Sequence, residues 1–323
     1  MEKIVVAGPF DASMRRALAE VVPADLYEMT FIDAPEQYGA FEDADYIILR
    51  TLSIGREDIA RMKKVKLIQR WGAGFDTVDI QAAGEKGIQV AVTAGMNATP
   101  VSEMALALAL AVYRSIVPLT NGIMAGRWER DAYSKRSYTL NGKRVGIYGI
   151  GNIGRKVAAL YRAFGSEVIY YDPYRLSPEK ESEMGVRFVC EDELWQTSDI
   201  ITLHAPLTDE TRGIVDCKVI DQMKDGAVLI NTARQELVDL CAVAQALKSG
   251  HLLGAGFDAI DEDISRNNPF AGMTNVVLTA HLGGNTVDNA GHMAKRCAEQ
   301  IQLVSGGGTL AAPHLVNGQY LKG

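Results

Sequence analysis

The stretch that most constrains this chain is Gly149-Ile150-Gly151-Asn152-Ile153-Gly154, near the middle of its 323 residues. Ahead of it lies the β-prone run 144–148, after an Asn141-Gly142 turn signal; behind it, residues 155–164 have helical character and stop at Gly165. A second apolar run, 168–171, ends in Asp172. Strand, glycine turn, helix, strand and acid together predict a βαβ unit. In such a unit the first glycine allows the tight turn, the second lets the backbone approach a pyrophosphate, and the third lets the helix pack close to the strand. The free N–H groups and positive dipole end of the helix then face the phosphates. A carboxylate closing the second strand accepts hydrogen bonds from a ribose 2′-hydroxyl and repels a 2′-phosphate, so Asp172 argues for NAD over NADP. Arg175, three residues on, is of the type that accommodates a 2′-phosphate and leaves that choice open. The bland alternative is a glycine-rich βα turn in some other α/β protein.

The chain around this unit has the same rhythm. Short apolar runs at 3–7, 46–49, 67–69 and 88–92 alternate with helical segments at 14–21, 57–62 and 80–86. After Asp172 come strands at 199–204, 227–231, 253–257 and 276–279, and helices at 177–184, 218–223, 240–248 and 287–304. Alternation of this kind predicts an α/β fold with parallel sheets. Thr99-Pro100 fits an N-cap followed by Pro at N1, opening a long alanine-rich helix to about Arg114. Residues 121–143 are polar and predicted irregular, with Trp128 and Tyr133 as anchors.

Composition excludes several classes. With 33 basic and 40 acidic side chains the net charge is −7, which offers no footprint for nucleic acid or an anionic membrane. Cys190, Cys217, Cys241 and Cys297 are far apart and form no C-x-x-C, so neither a metal site nor a disulfide framework is expected. A cytoplasmic setting is the simplest reading. The N-terminus has the pattern of a first strand, not of a signal peptide. The most apolar stretch, 104–112, is too short to span a bilayer and suits a buried or interface helix.

Four strands after the glycine loop end in polar residues: His204, Arg234, Asp258 and His281. In a doubly wound sheet the C-terminal ends of parallel strands share one edge. A guanidinium, imidazoles and the acids Asp261, Glu262 and Asp263 would therefore gather beside the nicotinamide end of a dinucleotide. Oxidation of a 2-hydroxy acid needs this set. Arg forks across the carboxylate and carbonyl oxygen, His takes the hydroxyl proton, and an acid orients the His and stabilises its charged form. Each residue has a plainer role available: Arg234 could clamp cofactor phosphate, and His281 could be satisfied by backbone. In the first half of the chain, Gly72-Ala73-Gly74 follows a strand and could present bare backbone N–H groups to a carboxylate. An ordinary βα turn is the equal alternative.

These motifs, in this order, resemble the D-isomer-specific 2-hydroxyacid dehydrogenase family, which includes D-3-phosphoglycerate dehydrogenases and glyoxylate/hydroxypyruvate reductases. The similarity runs through Arg70-x-Gly72-x-Gly74-x-Asp76-x-x-Asp79, the glycine loop with Asp172, and Leu203-His204-x-Pro206-Leu207-Thr208. It continues through Asn231-Thr232-Ala233-Arg234-x-x-Leu237-Val238-Asp239, Gly254-Ala255-Gly256-Phe257-Asp258 and Thr279-x-His281-Leu282-Gly283-Gly284. The resemblance implies two doubly wound parallel-sheet domains. One is a flavodoxin-like substrate domain split between residues 1–97 and 286–323; the other is a central Rossmann domain at 98–285 that binds NAD. It also implies a cleft between them, a homodimer joined through the NAD domain, and a D-2-hydroxy acid or 2-oxo acid substrate. Arg234 then matches the substrate-binding arginine, His281 the acid/base, and 72–74 the loop that holds the substrate carboxylate. Cofactor contacts fall on Gly149, Gly151, Asn152, Ile153, Gly154, Asp172, His204, Pro206, Thr232, Ala233, Arg234, Asp258, His281, Gly283 and Gly284. Arg50 resembles an arginine that phosphoglycerate dehydrogenases set against the substrate phosphate; an exposed strand-end arginine is its plainer reading.

Three departures matter. The family's catalytic acid is usually Glu; Asp263 holds that position and Glu262 precedes it, and we expect Asp263 to partner His281, the alternative being a small loop shift that brings Glu262 in. Gln235 stands where a glycine usually follows the arginine. Ala280 replaces the proline before the histidine, which removes a rigid backbone element. Some relatives in the family are NAD-sensing corepressors, and the altered acid is the one feature that favours such a binding protein over an enzyme.

Overall fold

A computed structural model describes residues 1–321, with Glu262 described by its backbone alone. Lys322 and Gly323, which end the expected split domain, lie outside the described residues. The chain divides into two compact units, one of residues 1–97 with the segment from Gly284 onward, the other of Ala98–Gly283.

The first unit opens with β1 (Glu2–Ala7), α1 (Ala12–Val21), β2 (Tyr27–Ile32), β3 (Tyr46–Leu49), α2 (Arg56–Arg61), β4 (Leu67–Arg70), α3 (Ile80–Glu85) and β5 (Gln89–Ala91). The strands form one sheet in the order β2-β1-β3-β4-β5, every pair parallel. β3 and β4 are buried along their whole length, as strands covered on both faces must be. α1 starts where the Asp11 carboxylate accepts from the N–H groups of Ser13 and Met14, which satisfies two of the orphan donors at a helix start. The winding reverses between β1 and β3. There Gly8 sits at φ +117°, a backbone conformation that side chains rarely adopt, and a Cβ would lie a tight 3.3 Å from that of Arg50.

The second unit contains α4 (Ala98–Tyr113), α5 (Ile116–Met124), α6 (Arg130–Ser134), β6 (Arg144–Tyr148), α7 (Asn152–Ala163), β7 (Glu167–Tyr171), α8 (Pro178–Met184), β8 (Arg187–Phe188) and α9 (Glu191–Thr197). It continues with β9 (Ile200–Leu203), α10 (Cys217–Gln222), β10 (Ala227–Asn231), α11 (Leu240–Ser249), β11 (Leu252–Phe257) and β12 (Val276–Leu278). Its seven strands run in the order β12-β11-β10-β9-β6-β7-β8, again all parallel, and the winding reverses between β6 and β9. The last helix, α12 (Asn289–Ser305), belongs to the first unit. Its Met293, Ala294, Cys297 and Ile301 enter the same core as Ile4, Leu18 and Tyr46.

Both sheets are doubly wound, as expected. The apolar stretch of α4 is core: Ala105, Leu108, Ala109 and Val112 are buried, and no single helix among the described residues is long and apolar enough to cross a membrane. The glycines of Gly254-Ala255-Gly256 have a packing reason. A Cβ on Gly254 would lie 2.4 Å from Val112, and one on Gly256 2.8 Å from Leu108, so bare backbone is what lets α4 seat on β11.

The structure corrects several local expectations. β2, β8 and α9 were not anticipated; β2 and β8 are edge strands, each paired on one side only. The region 121–143 is not irregular throughout, since α5 reaches Met124 and α6 lies within it. Tyr133 is buried, but Trp128 is 79% exposed and anchors nothing. α4 starts at Ala98, so Thr99 is not its cap; Pro100 lies in the first turn, where its missing N–H costs nothing.

Candidate active site

The site is built at the winding reversal of the seven-stranded sheet. Gly149 follows β6 at φ +97°, and a Cβ there would lie 2.8 Å from the backbone of both His204 and Ala205 beyond β9. The glycine therefore permits the closest approach of the two strand ends that flank the reversal. A Cβ on Gly154 would lie 2.1 Å from the Gly149 carbonyl oxygen, which explains the third glycine as a contact between helix and turn. At Gly151 a Cβ would meet nothing within 4 Å. Gly151 is also the N-cap of α7 and provides no side-chain cap, and no acidic residue lies in the first turn. The open space is thus bordered by the N-terminal N–H groups of Asn152 and Ile153, a cradle that fits a pyrophosphate. Asp172 closes β7 and reaches back to the loop. Its Oδ2 accepts from the Ile150 N–H at 2.8 Å and its Oδ1 from the Tyr174 N–H at 2.8 Å, which holds the carboxylate beside the turn.

His204 follows β9, and its two ring nitrogens face hydroxyls: Nε2 lies 2.8 Å from Thr202 Oγ1, and Nδ1 3.5 Å from Thr232 Oγ1. Burial drives its pKa down to about 3, so His204 is neutral across the working range and cannot exchange protons with a substrate near pH 7. Pro206 is exposed, and its carbonyl accepts from Thr211 Oγ1 at 2.7 Å.

β10 ends at Asn231, which is fully buried and staples the turn behind it. Its Oδ1 accepts from the Ala233 N–H at 2.9 Å, and its Nδ2 donates to the Arg234 carbonyl at 2.7 Å. Thr232, Ala233 and Arg234 are presented by this staple, and Arg234 is half-buried with Nη1 donating to the Ala233 carbonyl at 2.7 Å. The sequence signal for this role of Asn231 is a polar side chain closing an apolar strand.

Asp258, which follows β11, is 2% exposed. Its Oδ1 accepts from Thr279 Oγ1 at 2.6 Å and from the Leu282 N–H at 2.9 Å, and its Oδ2 accepts from the Gly283 N–H at 2.8 Å. Its carbonyl accepts from the His281 N–H at 2.9 Å. Asp258 therefore fixes the loop after β12 on both sides of His281, which sits in the left-handed region at φ +53°. Such a conformation is uncommon for a residue with a side chain and persists where the surroundings impose it. A Cβ on Gly283 would lie 2.7 Å from Asp258 Oδ2, so glycine is required there too. Gly284, the first residue of the other unit's last segment, accepts from Asn289 Nδ2 at 3.4 Å.

The turn 261–263 lies close enough to feel both candidate catalytic groups. The Asp261 carboxyl is pushed above its usual range, first by partial burial and then by Glu236 and Asp263, while His281 and Arg234 pull it the other way. Asp261, Arg234 and His281 thus share one electrostatic neighbourhood. The Asp261 N–H donates to Gln235 Oε1 at 3.0 Å, so Gln235 braces the acidic turn. Asp263 is exposed and its carboxylate has no hydrogen-bond partner among the described residues; the Glu262 side chain lies outside them.

In the first unit, Gly72 is at φ +146° and its N–H donates to Thr93 Oγ1 at 3.0 Å. Arg70, buried, donates through Nε to the Gly74 carbonyl at 2.9 Å. The loop is therefore pinned at both ends, and the Ala73 and Gly74 N–H groups have no partner among the described residues. Arg50 lies at this unit's own winding reversal, its Nη1 donating to the Pro9 carbonyl.

A family model described as the NAD binding domain of D-isomer specific 2-hydroxyacid dehydrogenases matches residues 106–283. The chain belongs to this family. A D-3-phosphoglycerate dehydrogenase of Mycobacterium leprae is 34% identical over 88% of this chain and 54% of that protein. A glyoxylate reductase of Thermococcus litoralis is 36% identical over 84% of this chain and 82% of that one. The chain thus spans about half the length of the phosphoglycerate dehydrogenases it matches. An NAD-dependent formate dehydrogenase from Staphylococcus aureus, solved with NAD, superimposes with a TM-score of 0.86 at 27% identity, covering 97% of this chain and 98% of that one. In this 2-hydroxyacid dehydrogenase family member the glycine loop, Asp172 and the α7 N-terminus lie in the family's NAD-binding domain, in keeping with the cradle described above.

Proposed function

We propose that the chain is an NAD-dependent oxidoreductase acting on a D-2-hydroxy acid/2-oxo acid pair. One observation supports this reading: an open helix N-terminus at a glycine turn, a guanidinium and an imidazole all follow strands on the C-terminal edge of one parallel sheet, where such sheets bind ligands. NAD supplies or accepts the hydride when bound. Arg234 forks across the substrate carboxylate and carbonyl oxygen and stabilises the charge that develops there. His281 takes the hydroxyl proton in oxidation and returns it in reduction. The acid comes from the turn 261–263. Asp263 holds the family's register, and the shared field of Asp261 with His281 supports its neighbourhood. Asn152, Ile153 and Asp172 bind the cofactor's pyrophosphate and ribose, and the Ala73 and Gly74 N–H groups take the substrate carboxylate.

For the substrate, we propose D-3-phosphoglycerate or glyoxylate/hydroxypyruvate. Arg50 supports the phosphorylated member, because it stands at a winding reversal of a parallel sheet. A homodimer through the second unit in a cytoplasmic setting belongs to the same reading. Its support is an apolar surface around α5, where Ile116, Ile123, Met124 and Trp128 are each at least half exposed; sedimentation as a monomer at micromolar concentration would exclude it.

The test is to mix the protein with NADH and a panel of 2-oxo acids, phosphohydroxypyruvate among them, and follow loss of absorbance. Cofactor binding without turnover of any would replace the enzyme with an NAD sensor. Arg234→Ala should lower kcat/KM on the order of 10²–10³-fold, the consequence of leaving a charged partner unpaired, with NADH affinity kept. Retained turnover would remove the arginine from its role.

A further inference from the structure

Coenzyme choice in this chain involves more than Asp172. Arg175 follows it by three residues and is the type of cation that accepts a 2′-phosphate. Its side chain is 55% exposed, yet its guanidinium is engaged, forking onto Glu181 of α8 with Nε 2.8 Å from Oε1 and Nη2 3.1 Å from Oε2. It also lies over the Phe188 ring at 4.9 Å. Glu181 is half-buried and held in place, because the Tyr170 hydroxyl donates to its Oε1 at 2.8 Å. Tyr170 is fully buried in β7, and its hydroxyl in turn accepts from the Leu176 N–H at 3.0 Å. The contacts Tyr170–Glu181–Arg175–Phe188 therefore tie the loop after β7 onto α8. Lys180, the other cation of this segment, is paired to Glu183 at 2.8 Å. A bidentate pair with one partner fixed from behind is the strong form of such a contact.

We propose that Glu181 is a specificity-determining residue for the coenzyme: it withholds Arg175 from a 2′-phosphate. Two carboxylates then reject NADP by different means. Asp172 repels the phosphate directly, and Glu181 sequesters the counter-charge that would otherwise compensate. The inference rests on the reading that Asp172 faces the ribose. It has a consequence that repulsion by Asp172 alone does not: the two acids are energetically coupled with respect to NADPH, through Arg175.

Fluorescence titration of NADH and NADPH binding to the whole protein tests this, using Asp172→Ser, Glu181→Gln, the double variant, and the double variant with Arg175→Ala. Glu181→Gln keeps an acceptor for Tyr170, and thermal unfolding checks that each variant is folded. Glu181→Gln alone should leave NADPH binding weak, since Asp172 still repels. The double variant should bind NADPH about tenfold more tightly than the product of the single effects predicts, a coupling of ordinary size for groups in one network. Adding Arg175→Ala should abolish that excess. Single effects that simply multiply, or an excess that survives Arg175→Ala, would overturn the proposal. The underlying reading fails separately, by unchanged NADH affinity in Asp172→Ser.

Discussion

Replacing Asp258 separates two roles that a strand-end acid can have. As a cofactor ligand, its loss would weaken NAD binding and little else. As the structure has it, both carboxylate oxygens are occupied by Thr279, Leu282 and Gly283, and the residue is 2% exposed. Asp258→Ala leaves the Leu282 and Gly283 N–H groups and the Thr279 hydroxyl without their acceptor. Leu282 is 51% exposed, so its N–H can turn to water, and two donors remain in the interior. At about 1–3 kcal/mol for each orphaned donor the cost is ~4 kcal/mol. In a domain of this size that lowers Tm by roughly 8–16 °C, at about 2–4 °C per kcal/mol. The freed loop carries His281, which Asp258 flanks through Thr279 on one side and Leu282 and Gly283 on the other, and a misplacement of about 1 Å at a reacting group costs on the order of 10²-fold in rate. Asp258→Asn is the milder case. It keeps one acceptor oxygen but presents an NH₂ donor to another donor, and should cost ~2–3 kcal/mol. Circular-dichroism melts, NADH titration and kcat on the best 2-oxo acid measure the three effects. A variant with unchanged Tm and kcat but weakened NADH binding would show that the carboxylate acts on the cofactor directly, and the positioning role would be wrong.

Two further outcomes follow from the same geometry. His204 has a folded pKa of about 3 against 6.5 in the unfolded chain. The native state therefore prefers the neutral ring: its contribution is complete above pH 6.5 and is lost as pH falls from there towards 3, at up to ~1.4 kcal/mol per pH unit. Denaturant unfolding between pH 7.5 and 5 should show that slope, and His204→Asn should flatten it; an equal slope in the variant would place the titration elsewhere. Gln235→Ala removes the acceptor for the Asp261 N–H, worth ~1 kcal/mol, and should lower kcat about three- to tenfold with NADH affinity unchanged and activity restored by Gln235→Glu. An unaltered kcat would make the brace irrelevant to catalysis.

What was legible in the sequence is what short spacings encode. The glycine loop, its flanking strands and Asp172 lie within 30 residues, and Gly149 and Gly154 answer local steric demands, while Gly151 borders open space. The edge strands were not legible, because β2 alternates buried and exposed residues irregularly and β8 spans two residues. Trp128 misled for the opposite reason. Its size suggests burial, but size does not say which surface a side chain meets. The pairing of Arg175 with Glu181 spans a loop and a helix start, so no fixed helical or strand spacing announces it. Nor could the partners of Asp258 be foreseen, since its hydrogen bonds come from residues 279–283 and two of the three donors are backbone N–H groups, which carry no sequence signature.

The assignment of the acid/base depends on this difference. Two histidines, His204 and His281, close strands on the same sheet edge, and pattern alone gives both the same standing. His204 is packed between two threonine hydroxyls, and burial keeps its ring neutral. A ring that burial keeps neutral can donate or accept a hydrogen bond but cannot cycle a proton at neutral pH. His251 and His314 are engaged elsewhere, on the carbonyls of Ile220 and Val92, and His292 is an exposed residue of α12, away from any strand end. His281 alone combines exposure, a strand-end position and a shared field with Arg234 and an acidic turn. Its backbone is held where side chains rarely go, and the groups that hold it there are Asp258, Thr279 and Gly283. Proton transfer is therefore expected to be as sensitive to Asp258 as to the acid beside the ring.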